Sequence, residues 1–127
     1  MAFLDLDFND VIEPRVADPD KEYKLRITEV REGNDKNGNP YLMPRFEVCD
    51  EVGVKDFSYF LGLPNSNMDA KRLNNCKYKL KCFLEAFGLP AASDPQDWMG
   101  SEGWAILGVE ENDQYGPQNF IKKLVKS

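Results

Sequence analysis

Apolar and polar residues alternate with a period of two through three stretches of the first half of this chain. In "EYKLRITEVRE", Tyr23, Leu25 and Ile27 fall on one face and Lys24, Arg26 and Thr28 on the other. That pattern predicts a strand with one apolar and one basic face. Val30 falls out of phase, the mark of a bulge. In "YLMPRFEVCD", Leu42, Phe46 and Val48 share one face, while Tyr41, Met43, Arg45 and Glu47 share the other. In "VKDFSYFL", Phe57, Tyr59 and Leu61 oppose Phe60. The period then changes. Through "MDAKRLNNCKYKLKCFLEAFG", Leu73, Cys76, Leu80, Phe83, Leu84 and Phe87 recur at steps of three and four. This predicts an amphipathic helix of about five turns, with Asp69 as N-cap and Gly88 and Pro90 as the stop. "SDPQDW" reads as a capped single turn, and "GWAILGVEE" and "QNFIKKLVK" as two final strands.

The predicted order is strand, strand, strand, helix, strand, strand. In a chain of 127 residues it fits one mainly β domain, a five-stranded OB-fold-like barrel with a long helix between the third and fourth strands. An α+β sheet carrying one helix on a face fits the same pattern. Residues 1–20 stand apart as an acidic segment, with the barrel expected over 21–127. "FLDLDF" alternates Leu4, Leu6 and Phe8 against Asp5 and Asp7. It reads as an edge strand packed on the barrel, or as an acidic arm that docks on a partner or competes with DNA.

Between the first two strands lies "EGNDKNGNPY". Asn37-Gly38 is a strong hairpin signal, since both residues tolerate positive φ. "NDQYGP" joins the last two strands. In an OB fold these two loops flank the strand face that holds oligonucleotides. Lys36 and Tyr115 are then expected as a charge and a ring at opposite edges of one cleft.

Charge sharpens the picture. The net charge is −6, unevenly spread: residues 1–20 and 91–117 are acidic, while 71–90 and 118–127 are basic. A local basic groove on an acidic body is compatible with nucleic acid. Histidine is absent and the three cysteines, Cys49, Cys76 and Cys82, form no C-x-x-C pair. A His-assisted nucleophile is excluded, and the thiols read as reduced and mostly buried. Acid clusters such as Asp94 with Asp97, or Glu110, Glu111 and Asp113, read as solvated loops rather than as a Mg²⁺ site, and no phosphate-cradling glycine motif occurs. No catalysis and no cofactor are expected. Without an apolar run long enough to span a bilayer, and without a basic n-region at the start, the expected setting is the cytoplasm.

"YKLRITEVREGNDKNGNPYLMPRFEV", "LKCFLEAFGL" and "YGPQNFIKKL" resemble the strand, loop, helix-end and last-hairpin motifs of a family of small phage proteins from replication and recombination gene clusters. These are regarded as OB-fold single-stranded DNA-binding proteins. The resemblance runs over roughly residues 22–126 and implies non-sequence-specific binding of single strands in an infected bacterial host. It also implies phage or host replication and recombination proteins as partners, and it is compatible with an oligomer. One departure is the C-terminus, "IKKLVKS", where bacterial single-strand binders commonly carry an acidic tail.

Binding of this kind needs cations along the phosphate path and rings on which bases stack. The candidates are Lys24, Arg26, Lys36, Tyr41, Arg45, Tyr59 or its neighbour Phe60, Tyr115, and one of Lys122 and Lys123, which strand alternation sends to opposite faces. The helix cations read as a solvated face, and Trp98 and Trp104 as core. The competing expectation is an acidic protein-interaction module or DNA mimic that binds no DNA.

Overall fold

A computed structural model describes residue 5 and residues 7–125. Six strands form one antiparallel sheet: β1 (Glu22–Asn34), β2 (Pro40–Val48), β3 (Phe57–Ser58), β4 (Leu61–Gly62), β5 (Glu102–Asn112) and β6 (Gly116–Val125). One helix, α1 (Ala70–Ala86), and a single 3₁₀ turn, Pro95–Trp98, lie between β4 and β5. No helix among the described residues is long and apolar enough to cross a membrane. The strand order is β3-β2-β1-β5-β6, with β4 also paired to β2.

The inward face carries the expected alternation. Tyr23, Leu25, Ile27, Phe46, Phe57 and Leu61 are buried, and so are Ala105 and Leu107 from β5. Phe83 of α1 and Phe87, its C-cap, close over them. The Phe46 ring lies 5.4 Å from Phe87 and 6.2 Å from Phe83, and Trp98 lies 5.5 Å from Phe83 on the other side. Replacing a phenylalanine of this cluster by Ala removes about 3–5 kcal/mol of stability. Asp69 accepts the Arg72 N–H at 2.8 Å and starts the helix. Gly88, at φ +64°, ends it. The β1 bulge falls at Thr28, between the pairs Ile27–Phe46 and Glu29–Arg45.

Two expectations are corrected. The third strand is not continuous: β3 and β4 are separated by Tyr59 and Phe60, which lie in neither strand, although the Tyr59 N–H still donates to the Pro44 carbonyl of β2 at 2.9 Å. The sheet is also not closed into a barrel, since β3 and β6 approach each other without a ladder. Part of that seam is sealed by the N-terminal segment instead. Arg15 pairs with Val54 in a parallel bridge, donating its N–H to the Gly53 carbonyl at 2.7 Å and accepting from Lys55 at 2.8 Å. Asn119 of β6, buried, accepts the Ala17 N–H at 2.7 Å and donates to the Lys55 carbonyl at 2.8 Å. A buried amide with both ends bonded replaces the ladder that a closed barrel would have there. Residues 15–20 therefore belong to the body of the domain. Of the predicted edge strand, Leu4 and Leu6 lie outside the described residues, and Phe8 is exposed with no strand around it.

Candidate nucleic-acid interface

The outward face of β1, β2 and the Tyr59–Phe60 link brings the first group of residues together. Tyr41 and Phe60 form a tilted ring pair, 5.1 Å between centroids. Cross-strand from Tyr41 is Gly33, where a β-carbon would stand 2.8 Å from the Tyr41 hydroxyl oxygen. The missing side chain lets the ring lie flat on the sheet. Four residues along β2, on the same face, Arg45 is exposed. Its cross-strand neighbour Glu29 is taken by Arg31 at 3.0 Å, and the Arg45 guanidinium has no ion pair among the described residues.

Lys24 and Arg26, on the same face, are not free. Arg26 reaches Glu47 at 2.9 Å and Glu102 at 2.8 Å, and Lys24 reaches Glu102 at 3.2 Å. The register makes these contacts direct, because Arg26 stands opposite both Glu47 on β2 and Glu102 on β5. The hydrogen bond with Glu102 raises the Arg26 pKa, and hydrogen bonds from Arg26 and Lys24 hold the Glu102 carboxyl below the usual carboxylate range.

The loop carrying Lys36 is ordered by one carboxylate. Asp35 accepts the N–H groups of Asn37 at 2.8 Å and Asn39 at 2.9 Å, and the Asn39 bond is the largest influence lowering its pKa. Only Gly38, at φ +80°, takes a positive φ, so the turn is not the two-residue hairpin that Asn37-Gly38 predicts. Lys36 stands exposed at its tip. Asn112 does for the β5–β6 turn what Asp35 does here, accepting from Gln114 and Tyr115. Tyr115 is 67% exposed. The ladder from Glu22–Ile106 to Arg26–Glu102 is antiparallel, so the β1–β2 and β5–β6 hairpins leave it in opposite directions, with Lys36 and Tyr115 beyond its two ends.

Tyr59 lies on the other side of the chain from Phe60. Its ring stacks at 6.2 Å on Phe83, and burial raises its hydroxyl pKa. It lines a groove of about 780 Å³ between β6 and α1, together with Tyr78, Lys79, Ile121, Lys123 and Leu124. Strand alternation was expected to part Lys122 from Lys123. A bulge between Ile106 and Leu107 of β5 leaves Lys122 as the extra residue, so both lysines border the groove. Lys122 is paired with Asp20, while Lys123 has no ion pair among the described residues.

Sequence reasoning missed three contributors. Lys79 is not merely solvated: its ammonium donates to the Phe60 carbonyl at 2.8 Å and sits 4.7 Å from the Tyr59 ring centre. Its side chain remains exposed, and the partial desolvation of its ammonium lowers its pKa. Tyr78 was overlooked beside it. Trp104, read as core, is 40% exposed opposite Lys24 on the outer face. The alternation of Gly103, Ala105 and Leu107 inward carried that signal. The cysteines are free and half-buried, with burial raising Cys49 and Cys76. Among the described residues no group of three or more His, Cys, Asp or Glu side chains is arranged to hold a metal ion.

No protein-family model matches the chain, and no curated protein matches it in sequence.

Proposed function

We propose that this protein binds single-stranded DNA without sequence preference, in phage DNA replication or recombination. The fold we assign it is an OB-type barrel opened along one seam. The strand order and the helix between the third and fourth strand positions support that assignment, since OB barrels are themselves only partly closed. The observation that carries the function is the Tyr41–Phe60 ring pair beside an unpaired Arg45. Phe60 is exposed and Tyr41 half-buried beside it, ring faces that suit bases of any identity, and an unpaired guanidinium gains from a phosphate without first giving up a carboxylate. Lys36, on a loop already ordered by Asp35, adds a second charge. Lys24 and Arg26 join only by exchanging Glu47 and Glu102 for phosphate. The mechanism is capture and stacking, with no bond made or broken.

Titration with fluorescent oligo-dT tests the proposal. Binding at low salt is expected, with a log–log salt slope of roughly −0.7 per neutralised phosphate. Arg45→Ala and Lys36→Ala are each expected to weaken binding and flatten the slope. A folded protein that binds no oligo-dT at low salt overturns the proposal. It would favour the second reading, an acidic protein-interaction module or DNA mimic. One observation supports that reading: acids already occupy the Lys24 and Arg26 positions of the face.

A further inference from the structure

The outer face and the groove meet at two consecutive residues. Where β3 gives way to β4, Phe60 turns outward onto Tyr41 and Tyr59 turns inward to the groove. Lys79 holds the crossing, bonded to the Phe60 carbonyl at 2.8 Å and poised over the Tyr59 ring at 4.7 Å. We propose that the groove between β6 and α1 is a second subsite for the same single strand, which passes from Tyr41 over Phe60 to reach it. This rests on the reading of the chain as a single-strand binder and extends it to a helix face that an OB barrel does not ordinarily present to its ligand.

Three features carry the proposal. The first is charge. Lys79, Lys122 and Lys123 border the groove, and Glu22 is the one acid among its described lining residues. Lys123 stands cross-strand from Ile106 rather than from a carboxylate, so no internal pair must break before it meets a phosphate. Lys79 is aimed at the groove by a carbonyl and a ring and has no carboxylate partner among the described residues, so a phosphate displaces no ion pair there. The second is rings. Tyr78 is 61% exposed at the rim, and Tyr59 is presented from the floor beside Ile121 and Leu124. The third is space. A groove of about 780 Å³ is in the range that encloses a small organic molecule, and so accommodates nucleotide units. Lys122 is paired with Asp20, but Lys79 and Lys123 line the groove without a carboxylate partner among the described residues, together with Tyr59 and Tyr78. Rings and free charge on one surface are the combination that holds a single strand.

The test compares oligo-dT of about 5 nucleotides with oligo-dT of about 16, spanning the usual site sizes for such a domain. The combined variant Tyr78→Ala, Lys123→Gln alters two exposed side chains and is expected to fold normally. It should bind the longer oligonucleotide roughly five-fold or more weakly, with a flatter salt slope, and the shorter one as the wild type does. Tyr41→Ala should weaken both. Wild-type affinity of the combined variant for the longer oligonucleotide, with Tyr41→Ala still weakened, overturns the groove subsite and leaves the function standing. Absence of binding by the wild-type protein removes both. A change in sedimentation of the combined variant with DNA affinity untouched also overturns the subsite, since the groove then joins copies of the chain.

Discussion

The outer sheet face and the seam groove contain similar residue types and differ in what those residues are already doing. On the outer face, Arg26 is opposite Glu47 and Glu102, and Lys24 shares Glu102. In the groove, Lys123 is opposite Ile106, and Tyr78 is left exposed. A count of cations makes the outer face the more basic surface. Cross-strand register narrows that difference, because a cation with a carboxylate directly opposite is partly neutralised before a ligand arrives, although Lys122 in the groove is also paired, with Asp20. Arg45 is the exception on the outer face, left free because Arg31 takes Glu29.

The strongest way to break the comparison is to unseal the seam. Deleting residues 2–18 removes the Arg15 bridge to Val54 and the buried Ala17, and leaves the Asn119 carbonyl without its 2.7 Å donor. A buried acceptor left unpaired costs about 1–3 kcal/mol, before the loss of packing. Denaturant midpoints should fall clearly for this deletion and little for deletion of 2–13, which spares both contacts. Equal stability of the two would mean that the segment is an appendage, free to act as the competing acidic arm that its composition suggests.

Next in size is the stacking platform. Tyr41→Ala should cost about 1–3 kcal/mol of oligo-dT affinity with little change in salt slope, and Tyr41→Phe should retain most of it. Gly33→Ala should imitate the Ala variant in part, since its β-carbon would stand 2.8 Å from the Tyr41 oxygen and displace the ring. Full affinity in Gly33→Ala would show that the ring's present position is not the binding one.

These variants rest on features that differ in how far the sequence shows them. The alternation in Tyr23-Leu25-Ile27 and in Leu42-Phe46 was legible because one side of each strand is buried, and burial enforces the period. The Asp69 and Gly88 helix limits were legible because capping is local chemistry. The split of the third strand was not, since "DFSYFL" alternates as well as a whole strand does. Nor was the sealing by Asn119, a contact between positions 102 residues apart in the chain. Pairing of Lys24 and Arg26 depends on register across three strands, which no single stretch encodes. Lys122 and Lys123 were misjudged because one bulge overrides strict alternation.

A smaller effect sharpens the charge comparison. Glu102→Gln should release Lys24 to the ligand and leave Arg26 held by Glu47 alone, giving tighter oligo-dT binding and a steeper salt slope, by roughly 0.7 for each phosphate newly neutralised. Acidification does not substitute for it at moderate pH. Hydrogen bonds from Arg26 and Lys24 depress the Glu102 pKa in the folded state. Its stabilising contribution is therefore full above the ordinary carboxylate pKa of about 4 and is lost only as pH falls through the depressed value. Wild-type protein near pH 5 should still bind as it does at neutrality, apart from the general salt effect. A rise there to the affinity of Glu102→Gln would show that the carboxyl is not held by its partners.

The smallest expected effect separates the two hairpin tips. Sequence placed Lys36 and Tyr115 on one cleft, while the β1–β5 ladder sends their hairpins in opposite directions. Lys36 tops the loop that leads into Tyr41, so Lys36→Ala should weaken oligo-dT binding modestly and flatten the slope by roughly 0.7. Tyr115 is exposed, its backbone bonded to the Asn112 and Gln118 side chains, and it lies beyond the end of β5 that is remote from Tyr41 along the ladder. A surface change away from the ligand stays within about 0.5 kcal/mol, close to a two-fold change in affinity. Tyr115→Ala should fall inside that limit on short and long oligonucleotides alike. A loss comparable to that of Tyr41→Ala would mean that the strand runs lengthwise along the sheet from one hairpin to the other. In that case the ligand passes over Lys24 and Trp104, its phosphates displace Glu102, and the path over Phe60 into the groove is not the one taken.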